Sequence, residues 1–296
     1  MFLAPDGQLL SQNVLAARLG VLIPDDFCRI WSAYRALVSP EKFEPLAYYV
    51  FTLFPSIPPE AHGGPNVPPE VRIFGRIGAD GGVYGYLVHA PECPADDYPV
   101  GIFVAIDHEG FLARAPTTRP AFELLLAQRL QWNLENPADP QPARAIEVAR
   151  ELATTLGLTI ERRRIPRGRP FRPKLPAGWR HVPTLDGVGA LAPADAFARK
   201  PHPGYRRPTP LAAPMAAARD ALRAGLPGTA LALARDVWTN HWGVTGVPEE
   251  LGPILIAAYT ALGRPAYATI VQRQVEIAVP WNKKIEDRFG PRKRPE

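Results

Sequence analysis

Proline placement sets the strongest limit on what this chain can fold into. Thirty-six of its 296 residues are proline, against roughly 5% in an average sequence. Each proline lacks an N–H and fixes φ, so it ends or bends the element it enters. A single helical bundle or an all-parallel sheet over the whole length is therefore excluded. The prolines are also clustered, with six in residues 55–69 and eleven in 162–214. The first cluster predicts a long loop, and the second an extended, polyproline-like linker. Within that second stretch, Val182, Leu185, Val188, Leu191 and Phe197 allow a partly ordered patch over Trp179 to Phe197.

Charge follows the same division. Residues 1–140 hold nine Lys and Arg against sixteen Asp and Glu, a net −7, whereas 162–207 hold twelve against two, a net +10. The formal +5 of the chain thus describes one segment, and partners have to be argued segment by segment. Two cysteines, Cys28 and Cys93, are too few for a disulfide framework or a cysteine-based zinc site. The N-terminus lacks a basic, apolar leader, and no 18-residue apolar run exists, so the expectation is a cytoplasmic protein without a membrane segment.

Periodicity supplies the elements. Asp25 to Val38 places Phe27, Ile30, Trp31, Tyr34 and Leu37 at helical spacing behind an Asp cap. Ser39-Pro40 suits a second helix start, and 46–54 (LAYYVFTLF) is an apolar run. Val71 to Ile77 and Val83 to His89 flank a Gly-Ala-Asp-Gly-Gly turn, which predicts a hairpin. Val100 to Ile106 reads as a central strand, and Asp107-His108-Glu109-Gly110 as the turn into a further strand at 111–113. Helices are predicted from Thr118, with Phe122, Leu125, Leu126 and Leu130 on one face, and over 143–156 with Gly157 as the stop. This order predicts an α+β domain over 1–160, with antiparallel strands between helices. A basic proline-rich linker over 161–211 follows.

Beyond it, four helical segments are predicted at 213–224, 228–239, 249–262 and 266–279. They turn at Gly225-Leu226-Pro227 and Gly263-Arg264-Pro265, so one helix–turn–helix unit recurs after 38 residues. Two such pairs, over 212–280, loosely resemble tetratricopeptide repeats, most closely at Ala258-Tyr259 and Leu262-Gly263; a generic pair of helical hairpins fits equally. Residues 281–296 read as a frayed charged tail.

In the N-terminal part, Gly78-Ala79-Asp80-Gly81-Gly82 precedes the aromatic strand Tyr84-Gly85-Tyr86-Leu87. Tyr98-Pro99-Val100-Gly101-Ile102-Phe103 enters the central strand, Asp107-His108-Glu109-Gly110 turns, and Ala115 to Leu126 begins a helix. With the upstream Ile23-Pro24-Asp25-Asp26-Phe27, this order over roughly 20–135 resembles the SUKH superfamily, which groups a yeast cell-wall-synthesis regulator with many bacterial toxin-immunity proteins. Ala115-Pro116-Thr117 departs from that family's Ser-Phe-like helix entry. The resemblance implies a binding domain rather than an enzyme, with another protein, such as a basic toxin, as partner. The residues themselves agree in one respect: an acidic domain bearing Asp80, Asp96, Asp97, Tyr84, Tyr86 and Tyr98 suits a basic partner, through charge for encounter and aromatics for contact. Taken singly, the carboxylates equally fit a solvated surface, and the tyrosines a strand core.

A second reading comes from Pro166-Arg167-Gly168-Arg169-Pro170, which matches the core of the AT-hook. Two arginines around a glycine can lie flat in a narrow A·T minor groove, while Arg172 and Lys174 reach phosphates. The other explanation is a solubilising linker with incidental arginines. For catalysis, the six histidines form no His-x-x-x-His or His-Glu-x-x-His. His62-Gly63-Gly64 lacks an accompanying Gly-x-Ser-x-Gly elbow. No catalytic residue, metal or cofactor is therefore predicted. A hydrolase whose groups converge only in three dimensions stays open as a third class.

Overall fold

A computed structural model describes residues 22–37, 67–77, 82–93, 95–104, 110–135, 142–160, 175–200, 212–240 and 250–289. It is a mixed α+β chain with a helical C-terminal part. Helix α1 (Asp25–Leu37) precedes four strands, β1 (Val71–Ile77), β2 (Gly82–Leu87), β3 (Val100–Val104) and β4 (Gly110–Ala115). These pair antiparallel in the order β1-β2-β3-β4. Helices α2 (Thr118–Glu135) and α3 (Pro142–Leu156) follow. Next come β5 (Trp179–Val182) and β6 (Ala190–Pro193), an antiparallel pair with Trp179 opposite Pro193. The chain ends in α4 (Ala212–Arg223), α5 (Pro227–Asn240), α6 (Gly252–Ala261) and α7 (Pro265–Phe289).

The four-stranded sheet is covered on both faces. Strand alternation sends Phe74, Tyr86 and Val100 to one side, where Phe27 and Ile30 of α1, Phe122 and Leu126 of α2, and Val148 and Leu152 of α3 complete an aromatic-rich core. Phe27 lies 5.6 Å from Phe74 and 6.0 Å from Phe122 between ring centroids. The opposite side presents Val71, Ile73, Val83, Leu87, Phe103 and Phe111. These join one core with Val188, Ala190 and Phe197 of the hairpin region and Leu231, Trp238, Leu255, Tyr259, Tyr267 and Val271 of the helices. Gly85 and Gly101 face each other across β2 and β3. A Cβ on Gly85 would stand 2.8 Å from Val71 Cγ1, and one on Gly101 would overlap the Phe111 ring. The two glycines thus make room for apolar side chains lying over the sheet.

The expected separation into an N-terminal domain, a linker and a helical domain is not how these residues pack. Residues 175–200, inside the stretch expected to be extended linker, form the β5–β6 hairpin and a short 3-10 turn, Ala194–Ala196. In this partly ordered patch Val188, Leu191 and Phe197 are buried while Leu185 is exposed. The reason is that the hairpin buries small residues, Ala190, Ala192 and Ala196, which Pro- and Arg-dominated composition conceals. The remainder of 161–211 lies outside the described residues, as do 39–54 and the 107–109 turn.

The repeated helical turns are present. Gly225 and Gly263 both take the left-handed conformation, at φ 71 and 73. Each closes its helix with the same pair of bonds: Leu226 N–H to the Ala221 carbonyl and Gly225 N–H to Leu222, then Arg264 N–H to Tyr259 and Gly263 N–H to Thr260. Helix α5 is buried all round from Ala230 to Thr239, packed against α4, α6, β6 and the 3-10 turn. Helix α7 continues through Pro280 to Phe289, so the expected tail begins as helix. A single proline removes one backbone bond, and the Asn-Lys-Lys-Ile-Glu that follows favours the helix again. No helix among the described residues is long and apolar enough to cross a membrane.

Candidate functional site

The densest chemistry lies where the sheet, the β5–β6 hairpin and the helices meet. Each member is delivered by a different element. Glu70 ends the Pro68-Pro69 turn that leads into β1, closed by Val71 N–H on the Pro68 carbonyl at 2.9 Å. Asp186 sits in the hairpin turn, Arg235 in the middle of α5 and Tyr259 on α6. All four are 0–1% exposed.

Arg235 holds the group together. Its Nε donates to Asp186 Oδ2 at 2.5 Å, and Nη2 pairs with the same oxygen. Nη1 donates to Glu70 Oε2 and, at 3.2 Å, to the Tyr259 hydroxyl. Tyr259 in turn donates to Glu70 Oε1 at 2.8 Å. Burial alone works against the guanidinium's charge, but Asp186 and Glu70 outweigh it and hold its pKa well above the ordinary value. Burial, reinforced by the Glu70 carboxylate, pushes the Tyr259 phenol far up, so it stays a donor. A buried charge of this kind is tolerated only when paired and hydrogen-bonded.

Two further arginines flank this centre. Arg264, in the turn between α6 and α7, grips Glu92 through Nε at 2.9 Å and Nη2 at 2.7 Å, and Nη2 also reaches the Leu191 carbonyl at 2.7 Å. Arg72 stacks over the Tyr267 ring, 4.5 Å from its centroid. Tyr267 donates to the Val88 carbonyl at 2.6 Å, and burial raises its pKa to about 12 against the opposing pull of Arg72. His89 is buried with Nε2 2.6 Å from the Val188 carbonyl. Burial lowers its pKa to about 3, and His181, Arg235 and Arg264 add to the effect.

The hairpin turn is shaped for this junction. Asp186 Oδ1 accepts from the Thr184 hydroxyl at 2.5 Å and from Val188 N–H at 2.9 Å. Its backbone carbonyl accepts from Phe111 N–H on β4 at 2.6 Å, and Leu185 N–H reaches Asp236 of α5 at 2.8 Å. The approach is backbone against backbone. Gly187, at φ 72, has no room for a Cβ, which would stand 2.6 Å from the Phe111 carbonyl oxygen. Gly110, at φ 69, would drive one into the Asp186 carbonyl.

The residues predicted for partner contact are not drawn together here. Asp80 lies outside the described residues, and Asp96 is exposed. Tyr84 is half-buried and stacks on Phe74 at 6.5 Å. Tyr86 and Tyr98 are only 2% and 7% exposed, so a role in surface contact does not hold for them. Both are core aromatics, 6.1 Å apart between centroids. The Tyr86 hydroxyl meets Thr118 Oγ1 at 2.9 Å. Asp97 is committed to the fold as well. It accepts from Thr118 N–H at 2.9 Å and from the Thr118 hydroxyl at 2.7 Å. The cap at the start of α2 is therefore a carboxylate 21 residues upstream, where the sequence suggested Thr118 itself. Arg167, Gly168, Arg169, Arg172 and Lys174 lie outside the described residues.

Sequence reasoning missed Glu70, Asp186, Arg235 and Arg264 as a group. One signal was present: Arg235-Asp236 interrupts an otherwise Ala- and Leu-rich helix, and a charge on a fully apolar helix implies a buried counter-charge. Chemically the arrangement is a closed clamp, because each carboxylate and guanidinium already serves another member. Among the described residues no group of three or more His, Cys, Asp or Glu is placed to hold a metal ion. No protein-family model matches this chain, and no curated protein matches it either.

Proposed function

We propose that this is a non-enzymatic, cytoplasmic protein-interaction protein, with a SUKH-like N-terminal part and tetratricopeptide-like helical pairs, whose partner is a basic protein of the toxin class. The observation that carries the reading is the order of elements over 25–135: one helix, a four-stranded antiparallel meander and a returning helix. That is the order on which the resemblance to SUKH proteins rests. The mutual saturation of Glu70, Arg235, Asp186 and Tyr259 supports it too, since these groups serve the fold rather than a substrate. Recognition then falls to the surface, where net acidity steers a basic partner and exposed Asp96 and half-buried Tyr84 remain accessible.

The test is co-expression of the full chain with the product of an adjacent toxin-like gene. Protection of the host, together with recovery of a salt-sensitive complex, is the expected result. Reversing charge with Asp80→Lys and Asp96→Lys should slow association at least several-fold. A gene with no toxin-like neighbour, or protection indifferent to the reversal, overturns the reading. A second reading, docking on A·T-rich DNA, rests on Arg167-Gly168-Arg169-Pro170. It predicts salt-sensitive duplex binding that Arg167→Ala with Arg169→Ala abolishes, and it fails if that double variant binds as before.

A further inference from the structure

The β5–β6 hairpin has two strands of four residues each, and a two-stranded ribbon of that size is marginal on its own. Its place is fixed from outside, by polar contacts concentrated at its turn. One of them is peculiar. The Val188 carbonyl meets two imidazoles, His89 Nε2 from the loop after β2 at 2.6 Å and His181 Nε2 from β5 at 3.3 Å. A carbonyl only accepts, so each Nε2 presents an N–H. The rings stand edge to face with centroids 5.4 Å apart.

We propose that this histidine pair makes the hairpin an acid-released latch: when the imidazoles take up protons, the hairpin leaves the β4 edge and α5 before the rest of the fold opens. A second proton on either ring adds a full charge without adding a bond to Val188. The groups facing the pair from every packed element decide how that charge is received. From the β1 side come Glu70 and Arg72, from the loop after β2 Glu92, from the hairpin Asp186, from α5 Arg235 and Asp236, from α6 Tyr259, and from the α6–α7 turn and α7 Arg264 and Tyr267. The carboxylates are engaged elsewhere: Glu70 and Asp186 on Arg235, Glu92 on Arg264, and Asp236 on Leu185 N–H. What bears on His89 is cationic, namely His181, Arg235 and Arg264. Asp186 does favour charge on His181, but burial outweighs it and the pKa of that ring is lowered as well.

The sign follows from linkage. A histidine whose folded pKa is depressed leaves stability intact at high pH, and stability is lost as pH falls below the unfolded value near 6.5. In the released hairpin the imidazoles charge freely, so opening becomes about tenfold more favourable per pH unit per ring below that value, until the folded pKa is reached. Release would also uncover the outer edge of β4, where Phe111 N–H now bonds to Asp186.

The experiment is amide hydrogen exchange of the full chain at about pH 7.5 and about pH 4.5, corrected for intrinsic rates, with His89→Gln alongside. Glutamine can still donate to Val188 but does not titrate. In the parent, protection over 185–192 should fall about a hundredfold at the lower pH, while amides in α2 hold. In His89→Gln that fall should shrink to tenfold or less. If His89→Gln does not fold, His181→Gln at the half-buried position serves the same purpose. Hairpin protection that tracks α2 at both pH values, or a titration-blocked variant that loses protection as the parent does, overturns the latch.

Discussion

Arg235→Met is the substitution that most directly tests the clamp. Methionine preserves much of the length and the apolar stem, so packing against Trp238, whose ring centre lies 5.8 Å from the guanidinium carbon, is largely kept. What disappears is the sole cation in contact with both Glu70 and Asp186, two carboxylates 0–1% exposed. Stranding one partner of a buried pair costs about 3–5 kcal/mol. Two are stranded here, so the expected loss is at the upper end, about 5 kcal/mol. Urea unfolding followed by tryptophan fluorescence reads it. Acid should narrow the gap between variant and parent, because a protonated carboxyl no longer carries the uncompensated charge. Adding Glu70→Gln neutralises one stranded group and keeps an acceptor for the Tyr259 hydroxyl. The double variant should therefore be more stable than Arg235→Met by roughly 1–2 kcal/mol, a coupling that independent sites would not show. A loss below about 1 kcal/mol in the single variant, or strict additivity in the double, refutes the claim that these charges form one unit.

The backbone junction predicts that Gly187→Ala loses about 2 kcal/mol or more, since it adds a clash to a positive φ, whereas Gly225→Ala, with nothing within 4 Å of its Cβ, loses only about 1 kcal/mol. Equal losses in thermal unfolding would contradict the close approach. Asp97→Ala should cost about 1–2 kcal/mol by uncapping α2, with exchange protection falling first at Thr118; uniform fraying along α2 would argue against a cap. A fragment of residues 1–160 should bind the dye ANS and self-associate, because Val71, Ile73, Val83, Leu87, Phe103 and Phe111 lose their cover. A monomeric fragment that ignores the dye would show that the sheet does not need the helices.

Local elements were legible because local spacing encodes them. Val71 to Ile77 is found at the predicted limits, and Gly225 and Gly263 mark both helical turns. The two-sided burial of the sheet was half visible: Val83-Tyr84-Gly85-Tyr86-Leu87 is apolar in both phases, as a strand covered on each face must be. The candidate site was not legible, because its members lie far apart along the chain and no periodicity links Glu70 to Arg235. The hairpin was obscured for another reason. Composition over 162–214 is dominated by Pro and Arg, while the residues that bury, Val188, Ala190, Ala192 and Ala196, are few and small. The tyrosines misled in the opposite direction, since an aromatic on a strand has the same local pattern whether it faces a partner or Phe27.

The clamp also sets an order of events at the ribosome. Glu70 meets Arg235 across 165 positions of chain, and Val67 accepts from Gln274 across 207. At roughly 5–20 residues per second of synthesis, the first sheet strand waits about ten to thirty seconds for its counter-charge. During that interval a carboxylate and one apolar sheet face stand open, and neither can close on a local partner. Such a nascent chain is a natural client for holding chaperones. Premature termination anywhere before α5 would leave a sticky half-molecule, cleared by proteolysis, instead of a shorter but working protein.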